Sequence, residues 1–234
     1  MSRRQFNWNG MRVPYITQWT AETVDQPKII RIFARGGEGI GYEDEHSVTD
    51  RRDEALWVRS GLGQGRGRPD FARISSPRQK RAIRYSLCQV CGKAVLNCRD
   101  DERTLHLLGG STPIAEGETT AAPPLHPLCA VESVENCRFL QRGWAAALVE
   151  YSPLWGVAGV VYDPVTLDPL PSPGRRPNDL THVHIGDELI RWTLANFTAV
   201  SLHGVTPVSP EELHAMASED ARRAVTGGQR MGTA

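Results

Sequence analysis

Two short pairs of residues constrain this chain more than anything else in it. The first is Cys88 and Cys91, in L-C-Q-V-C-G; the second is His126 and Cys129, in P-L-H-P-L-C. Each pair leaves two residues between its members, and together they read C-x2-C-x34-H-x2-C. Thiolate and imidazole are the ligands zinc takes, four at a time and tetrahedral. A two-residue gap lets both donors of a pair meet one ion across a tight turn, and Gly92 suits the positive φ such a turn often needs. The pattern predicts one zinc ion held by Cys88, Cys91, His126 and Cys129. Four protein ligands leave no open position for water, so the ion is expected to be structural.

The flanking sequence fits. Ser76 with Pro77 reads as a helix start, and a helix to about Tyr85 would deliver the chain to Cys88. A hairpin is expected over 94–108, with V-L-N-C and T-L-H-L-L as its arms. A second helix is expected from Pro127 to about Gln141, ended by Gly143. Cys129 then falls in its first turn, where backbone N–H groups and the helix dipole favour a thiolate. Knuckle, hairpin and a helix offering the second pair at its N-terminus make a treble-clef-like arrangement. The alternative is two unrelated pairs with thiols buried as small hydrophobes. Cys137 competes with His126 as fourth ligand but lies about two helical turns beyond Cys129. Cys98, in the hairpin, reads as an ordinary thiol. A redox role for C-Q-V-C is disfavoured, because redox pairs follow a strand and open a helix, whereas here a helix comes first.

The remainder reads as a mixed α+β chain. Its 234 residues can bury a real core without staples. Strands are expected at Lys28–Phe33, Glu54–Arg59, Trp144–Tyr151, Trp155–Tyr162 and Thr181–Ile185. Apolar positions 189, 190, 194, 197 and 200 predict a helix from Asp187 to about Leu202. Ser209-Pro210-Glu211-Glu212 opens a last helix, to about Arg223. The glycines of R-G-G-E-G-I-G-Y do not have phosphate-loop spacing and read as a turn or bulge. These elements divide into an N-terminal strand and loop region, 1–75, with a loose arm to residue 12; the zinc module, 76–143; a C-terminal region of strands and helices packed on it, 144–223; and a disordered tail, 224–234. The expected fold is α+β, a treble-clef-like zinc module embedded in a mixed small-sheet and helix domain.

The order of motifs V-P-Y-I-T-Q-W-T, G-I-G-Y-E-D-E, G-R-G-R-P-D-F, R-Q-K-R-A-I-R-Y-S-L-C-Q-V-C-G, P-P-L-H-P-L-C-A and C-R-F-L-Q-R-G-W resembles an uncharacterised family of actinobacterial and actinophage proteins. The resemblance runs over residues 11–200. Members usually have cysteine where this chain has His126, which keeps a ligand, and Cys-Pro where it has Cys137-Arg138. The resemblance implies a zinc-binding fold and brings no activity with it.

Function has to be argued from charge. Lys plus Arg and Asp plus Glu balance at 27 each, so the whole chain selects no partner. The segment 66–84 differs: Arg66, Arg68, Arg73, Arg78, Lys80, Arg81 and Arg84 stand against one acid, Asp70. Such a cluster is the footprint of a phosphate binder, so DNA or RNA is the expected partner. R-G-R-P within it is similar to the core of an AT-hook, but Asp70 follows where a hook continues basic. The competing readings are a solvated face, pairing with the acidic loop Glu43–Glu54, or a protein partner. Trp8, on the arm, is the tryptophan suspected of meeting one. Enzyme readings are weaker and no catalytic residue is assigned. A nuclease would need His106, which lacks companions, and a second metal at His182 and His184 would need an acid such as Asp187 or Glu188. With no long apolar run and few cysteines, the chain is expected in the cytoplasm, away from membranes.

Overall fold

In the computed structural model, residues 4–34, 36–96, 102–172 and 180–229 are described. The N-terminal arm is ordered. Strands β1 (Phe6–Trp8) and β2 (Met11–Val13) form a hairpin. Asn9 and Gly10 turn it with φ of 48° and 79°, the pair of positive angles that matches strand twist. Phe6 packs edge-on against Trp19 at 5.3 Å. A loose arm was expected; the Asn-Gly turn and this aromatic contact are what hold it. Strand β3 (Thr17–Trp19) follows, then the hairpin of β4 (Ile29–Ala34) and β5 (Gly37–Tyr42).

A short helix α1 (Ser47–Asp50) leads to β6 (Arg51–Arg52) and β7 (Ala55–Trp57). The glycine-rich stretch 61–68 then returns the chain to β8 (Pro69–Ile74), which pairs antiparallel with β3. Its glycines serve packing: a Cβ on Gly65 would sit 2.2 Å from the Phe6 ring. Helix α2 (Ser76–Arg84) comes next, with Pro77 in its first turn. It buries Arg78, Gln79 and Ala82 and exposes Pro77, Arg81, Arg84 and Tyr85, one stripe at helical spacing.

Strand β9 (Thr104–Gly109), the two-residue β10 (Thr119–Thr120) and helix α3 (Pro127–Asn136) complete the middle of the chain. The expected 94–108 hairpin does not form as drawn. Strand β9 pairs instead with β11 (Trp144–Val149), and Val95 and Leu96 are not strand. Part of its first arm and its turn, including Cys98, lie outside the described residues. Strands β12 (Leu154–Val161), β13 (Thr181–His184) and β14 (Thr193–Ser201) follow. They assemble with earlier strands into a sheet of order β13-β12-β14-β7-β6, β10 also pairing with β14. Strand β15 (Thr206–Val208) lies on the other edge of β11, and helix α4 (Pro210–Gln229) packs on α3. The Ser209 N-cap is as read: its N–H meets the Glu212 carboxylate at 2.8 Å, and its hydroxyl accepts from the Glu212 N–H. Helix α4 continues past Arg223 to Gln229, and residues 230–234 of the expected disordered tail lie outside the described residues.

The expected helix 187–202 is the largest departure. A short 3-10 turn covers Glu188–Trp192, and strand β14 takes the rest. Residues such as Thr193, Phe197, Thr198 and Val200 favour a pleated surface. The strand is buried along most of both faces, and its polar residues Thr193, Thr198 and Ser201 are buried with the apolar ones, so it lacks the alternation that marks a half-exposed strand.

Candidate metal centre

The four ligand atoms of Cys88, Cys91, His126 and Cys129 lie within 4.8 Å of one another. Donors around a tetrahedral zinc are separated by about 3.8 Å when the bonds are about 2.3 Å long, so the group has the size of one cation site. It is the sole such cluster among the described residues. Cys137 is not in it: the residue caps the C-terminal end of α3, whereas Cys129 lies in its first turn.

The first half-site is a knuckle. After α2 the chain reverses at Ser86 (φ 45°), and Leu87 bridges Ala94. The Cys88 N–H donates to the Lys93 carbonyl at 2.7 Å, and the Gly92 N–H donates back to the Cys88 carbonyl at 2.8 Å. Gly92 takes φ 70°, as expected of the residue behind the second cysteine. Two other segments pin the knuckle. Tyr15 and Ile16 donate to the Val90 and Gln89 carbonyls, and Gln89 donates to the Pro124 carbonyl. The last bond joins the two half-sites directly.

The second half-site is the start of α3. His126 is its N-cap and Pro127 its first residue, a position where the missing N–H costs nothing. The imidazole has its two nitrogens sorted. Nε2 lies 3.0 Å from the Ala94 carbonyl, which only an N–H can satisfy, and Nδ1 faces Cys91 Sγ at 3.4 Å, so in the neutral ring Nδ1 is the nitrogen with a lone pair for a metal. Cys88 and Cys129 are buried in one core cluster with Val90, Leu105, Leu125 and Ala130. The site is therefore part of the core.

Electrostatics agree with a cation site. Hydrogen bonding to Cys129 and Cys88 pulls the Cys91 thiol far below its usual range, while Cys129, facing the same sulfurs, is pushed up. Burial opposes charge on His126, but bonding and attraction to Cys88 and Cys91 outweigh it and push its pKa up to about 11. Three sulfurs and an imidazole this close compete for few protons, and a dication that replaces those protons relieves the competition. Three thiolates around a dication would leave one net negative charge. Arg12, on β2, lies beside it: Nη1 is 3.8 Å from Cys129 Sγ and 3.2 Å from a Glu132 carboxylate oxygen. Sequence reasoning missed Arg12, since no local signal links residues 117 apart.

The basic segment is less uniform than its composition. Arg66, Arg68, Arg73, Arg81 and Arg84 are exposed, but Arg73 pairs with Asp70 at 3.5 Å. Arg78 is turned inward. Its guanidinium is bidentate on Glu22 and donates to the Tyr15 carbonyl at 2.7 Å and the Thr17 carbonyl at 2.6 Å. It cannot also reach a phosphate, and its assignment to a nucleic-acid surface is corrected. Lys80 is half-covered, with Nζ 3.5 Å from the centre of the Trp57 ring. Burial, with Arg52 nearby, pulls its pKa down to about 8; the ring face favours the charged form. The R-G-R-P stretch is unlike a free hook, because Pro69 is buried and pairs with Trp19. The acidic loop does not neutralise the segment through ion pairs. Glu45 pairs with Arg51, Asp44 and Asp50 with Arg59, and Glu54 with Arg191.

The histidines read as possible catalytic groups are placed otherwise. His106 is fully buried, and neither ring nitrogen has a hydrogen bond of good geometry, the Ala122 backbone being its polar neighbour of consequence. Desolvation drives its pKa down to about 4, opposed only in part by the Ala122 backbone. His182 shares a hydrogen bond with Thr119 Oγ1 at 3.0 Å, and His184 Nδ1 accepts from the Gly186 N–H; neither belongs to a metal cluster among the described residues. Trp8 is half-buried on β1.

One further arrangement was not read from the sequence. Ser201 Oγ is 3.0 Å from His203 Nε2, and His203 Nδ1 is 3.1 Å from Glu116 Oε1. The order is that of a hydrolytic triad. Ser201 is buried, however, and the N–H groups of Ser201, Leu202 and His203 are committed to carbonyls of Pro153, Glu118 and Tyr151. They cannot serve an oxyanion. Glu116 also accepts from the Gly204 and Val205 N–H groups, so the chain of bonds is a clip on that turn.

No protein-family model, curated protein or solved structure matches the chain. Among the described residues no helix is long and apolar enough to cross a membrane.

Proposed function

We propose that the chain is a non-catalytic zinc protein that contacts nucleic acid in a regulatory role. Zinc is the cation that three thiolates and one imidazole suit best, and four protein ligands make it structural. The module reads as treble-clef-like, in that a knuckle and a helix N-terminus supply the two pairs. Strand β9, paired outside the module, stands where the hairpin was expected.

The observation that carries the reading is the solvent stripe of α2. Arg81 and Arg84 face outward in the turn that enters the knuckle, and Arg66, Arg68 and Arg73 are exposed just before it. A metal that clamps the knuckle would hold this helix end rigid, because Leu87 donates to Ala82 and Val95 to Ser86 across the junction. The test is binding of zinc-loaded protein to DNA and RNA at two salt concentrations. Affinity should fall steeply with salt, with a log–log slope of about −0.9 per phosphate neutralised on a duplex. Changing Arg66, Arg68, Arg81 and Arg84 to Ala should abolish it. No binding at low salt refutes the reading.

A protein-assembly role is the second reading. An open groove of about 560 Å³, lined by residues that include Val134, Leu140, Trp144, Pro207 and Pro210, favours it. A defined complex indifferent to nucleic acid would support that role instead.

A further inference from the structure

Charge alone does not choose between a duplex and a single strand, but the end of α2 offers more than charge. We propose that this surface takes single-stranded nucleic acid, with one unstacked base laid on the ring of Tyr85. The proposal rests on the nucleic-acid reading above and narrows it.

Tyr85 is 56 % exposed, although it sits at the junction of a helix and the hydrogen-bonded knuckle. Its backbone N–H donates to the Arg81 carbonyl at 3.1 Å, and Ser86 and Leu87 immediately enter the knuckle. The ring therefore stands on a rigid mount and faces solvent. Two guanidinium groups flank it: the Arg81 and Arg84 carbons lie 5.8 and 5.6 Å from its centroid. Pro77, Arg81, Arg84 and Tyr85 make one continuous exposed stripe.

An aromatic ring between two cations has a use on a single strand that it lacks on a duplex. Base faces in a duplex are covered by their neighbours, so an exposed tyrosine finds nothing to stack on. An unpaired base offers its π-face, and the two arginines can reach the phosphates beside it. The charge count points the same way. With Arg78 turned into the core and Lys80 held against Trp57, the helix keeps two solvent-exposed guanidinium groups of its four cations, both beside Tyr85. A helix so reduced is a weak tracker of a duplex backbone, and stacking would have to supply much of the affinity.

The experiment uses the full zinc-loaded chain and three fluorescent probes: a polythymidine strand, a polyuridine strand and a mixed-sequence duplex. Anisotropy titrations at two salt concentrations should give tighter binding to a single strand than to the duplex. Tyr85→Ala should weaken single-strand binding about tenfold, within the range known for loss of one stacked base, and leave the salt slope unchanged. Tyr85→Phe should restore the affinity, and Tyr85→Leu, which keeps apolar bulk without a π-face, should not. Arg81→Ala should reduce the salt slope by about 0.7. Whichever single strand binds more tightly tells RNA from DNA. Equal affinity for duplex and single strand overturns the proposal, as does full affinity in a Tyr85→Ala protein of unchanged zinc content; salt-dependent binding in either result would leave the broader reading standing. Absence of binding to all three probes removes both.

Discussion

Arg78 is the residue whose replacement separates a structural from a binding role within the basic segment. Its guanidinium grips both oxygens of Glu22 and the carbonyls of Tyr15 and Thr17, and Glu22 also accepts the Trp19 N–H at 2.7 Å. Both side chains are almost out of reach of water, Glu22 at 4 % and Arg78 at 9 % exposure. Arg78→Ala would leave a buried carboxylate with one backbone donor and strip two carbonyls of theirs. Removing one partner of a buried pair costs roughly 3–5 kcal/mol, a large part of the 5–15 kcal/mol that holds a typical domain. At about 2–4 °C per kcal/mol for a chain of this size, the melting temperature should drop by roughly 6–20 °C. The damage should reach the knuckle, since Tyr15 is also the donor to Val90. Glu22→Leu combined with Arg78→Met should recover much of the loss, because the uncompensated charge is gone. Urea titrations of the single and double variants, with zinc content measured beside them, give the numbers. A stable Arg78→Ala protein with an unchanged midpoint and lost nucleic-acid binding would refute the reasoning and return Arg78 to the surface.

Three further outcomes are expected. His106 keeps its neutral form in the fold until about pH 4, whereas an unfolded histidine takes its proton near pH 6.5. The unfolded state therefore binds more protons between these values, and stability should be lost as pH is lowered from about 6.5 to about 4, by up to about 3 kcal/mol; the loss should be smaller in His106→Leu, compared by denaturant midpoints at several pH values. Cys91→Ser should lose the metal and cooperative unfolding, while His126→Cys should keep one metal per chain by elemental analysis; a full complement of zinc in Cys91→Ser would discard the site. Arg12→Ala should lower zinc affinity about tenfold in competition with a chromophoric chelator, as loss of an outer partner of a metal ligand does, and no change would mean that its contact with Cys129 is incidental.

What the sequence determined by itself was local. Two C/H-x-x-C pairs, Gly92 behind the first and Pro127 within the second, specify a turn and a helix start, and these depend on residues a few positions apart. The helices at 76 and 210 were legible for the same reason, through Pro77 and the Ser209–Glu212 box. Tertiary structure alone decided where strands pair and which charges face water. Strand β14 was misread because burial on both faces erases its period, and β9 found its partner β11 beyond the segment that carries β10 and α3, where pairing is settled by the packing of the whole sheet. Arg78 and Arg81 are indistinguishable as letters. A helix of 3.6 residues per turn, docked on the core through Gln79 and Ala82, turns one inward to Glu22 and leaves the other beside Tyr85 in solvent.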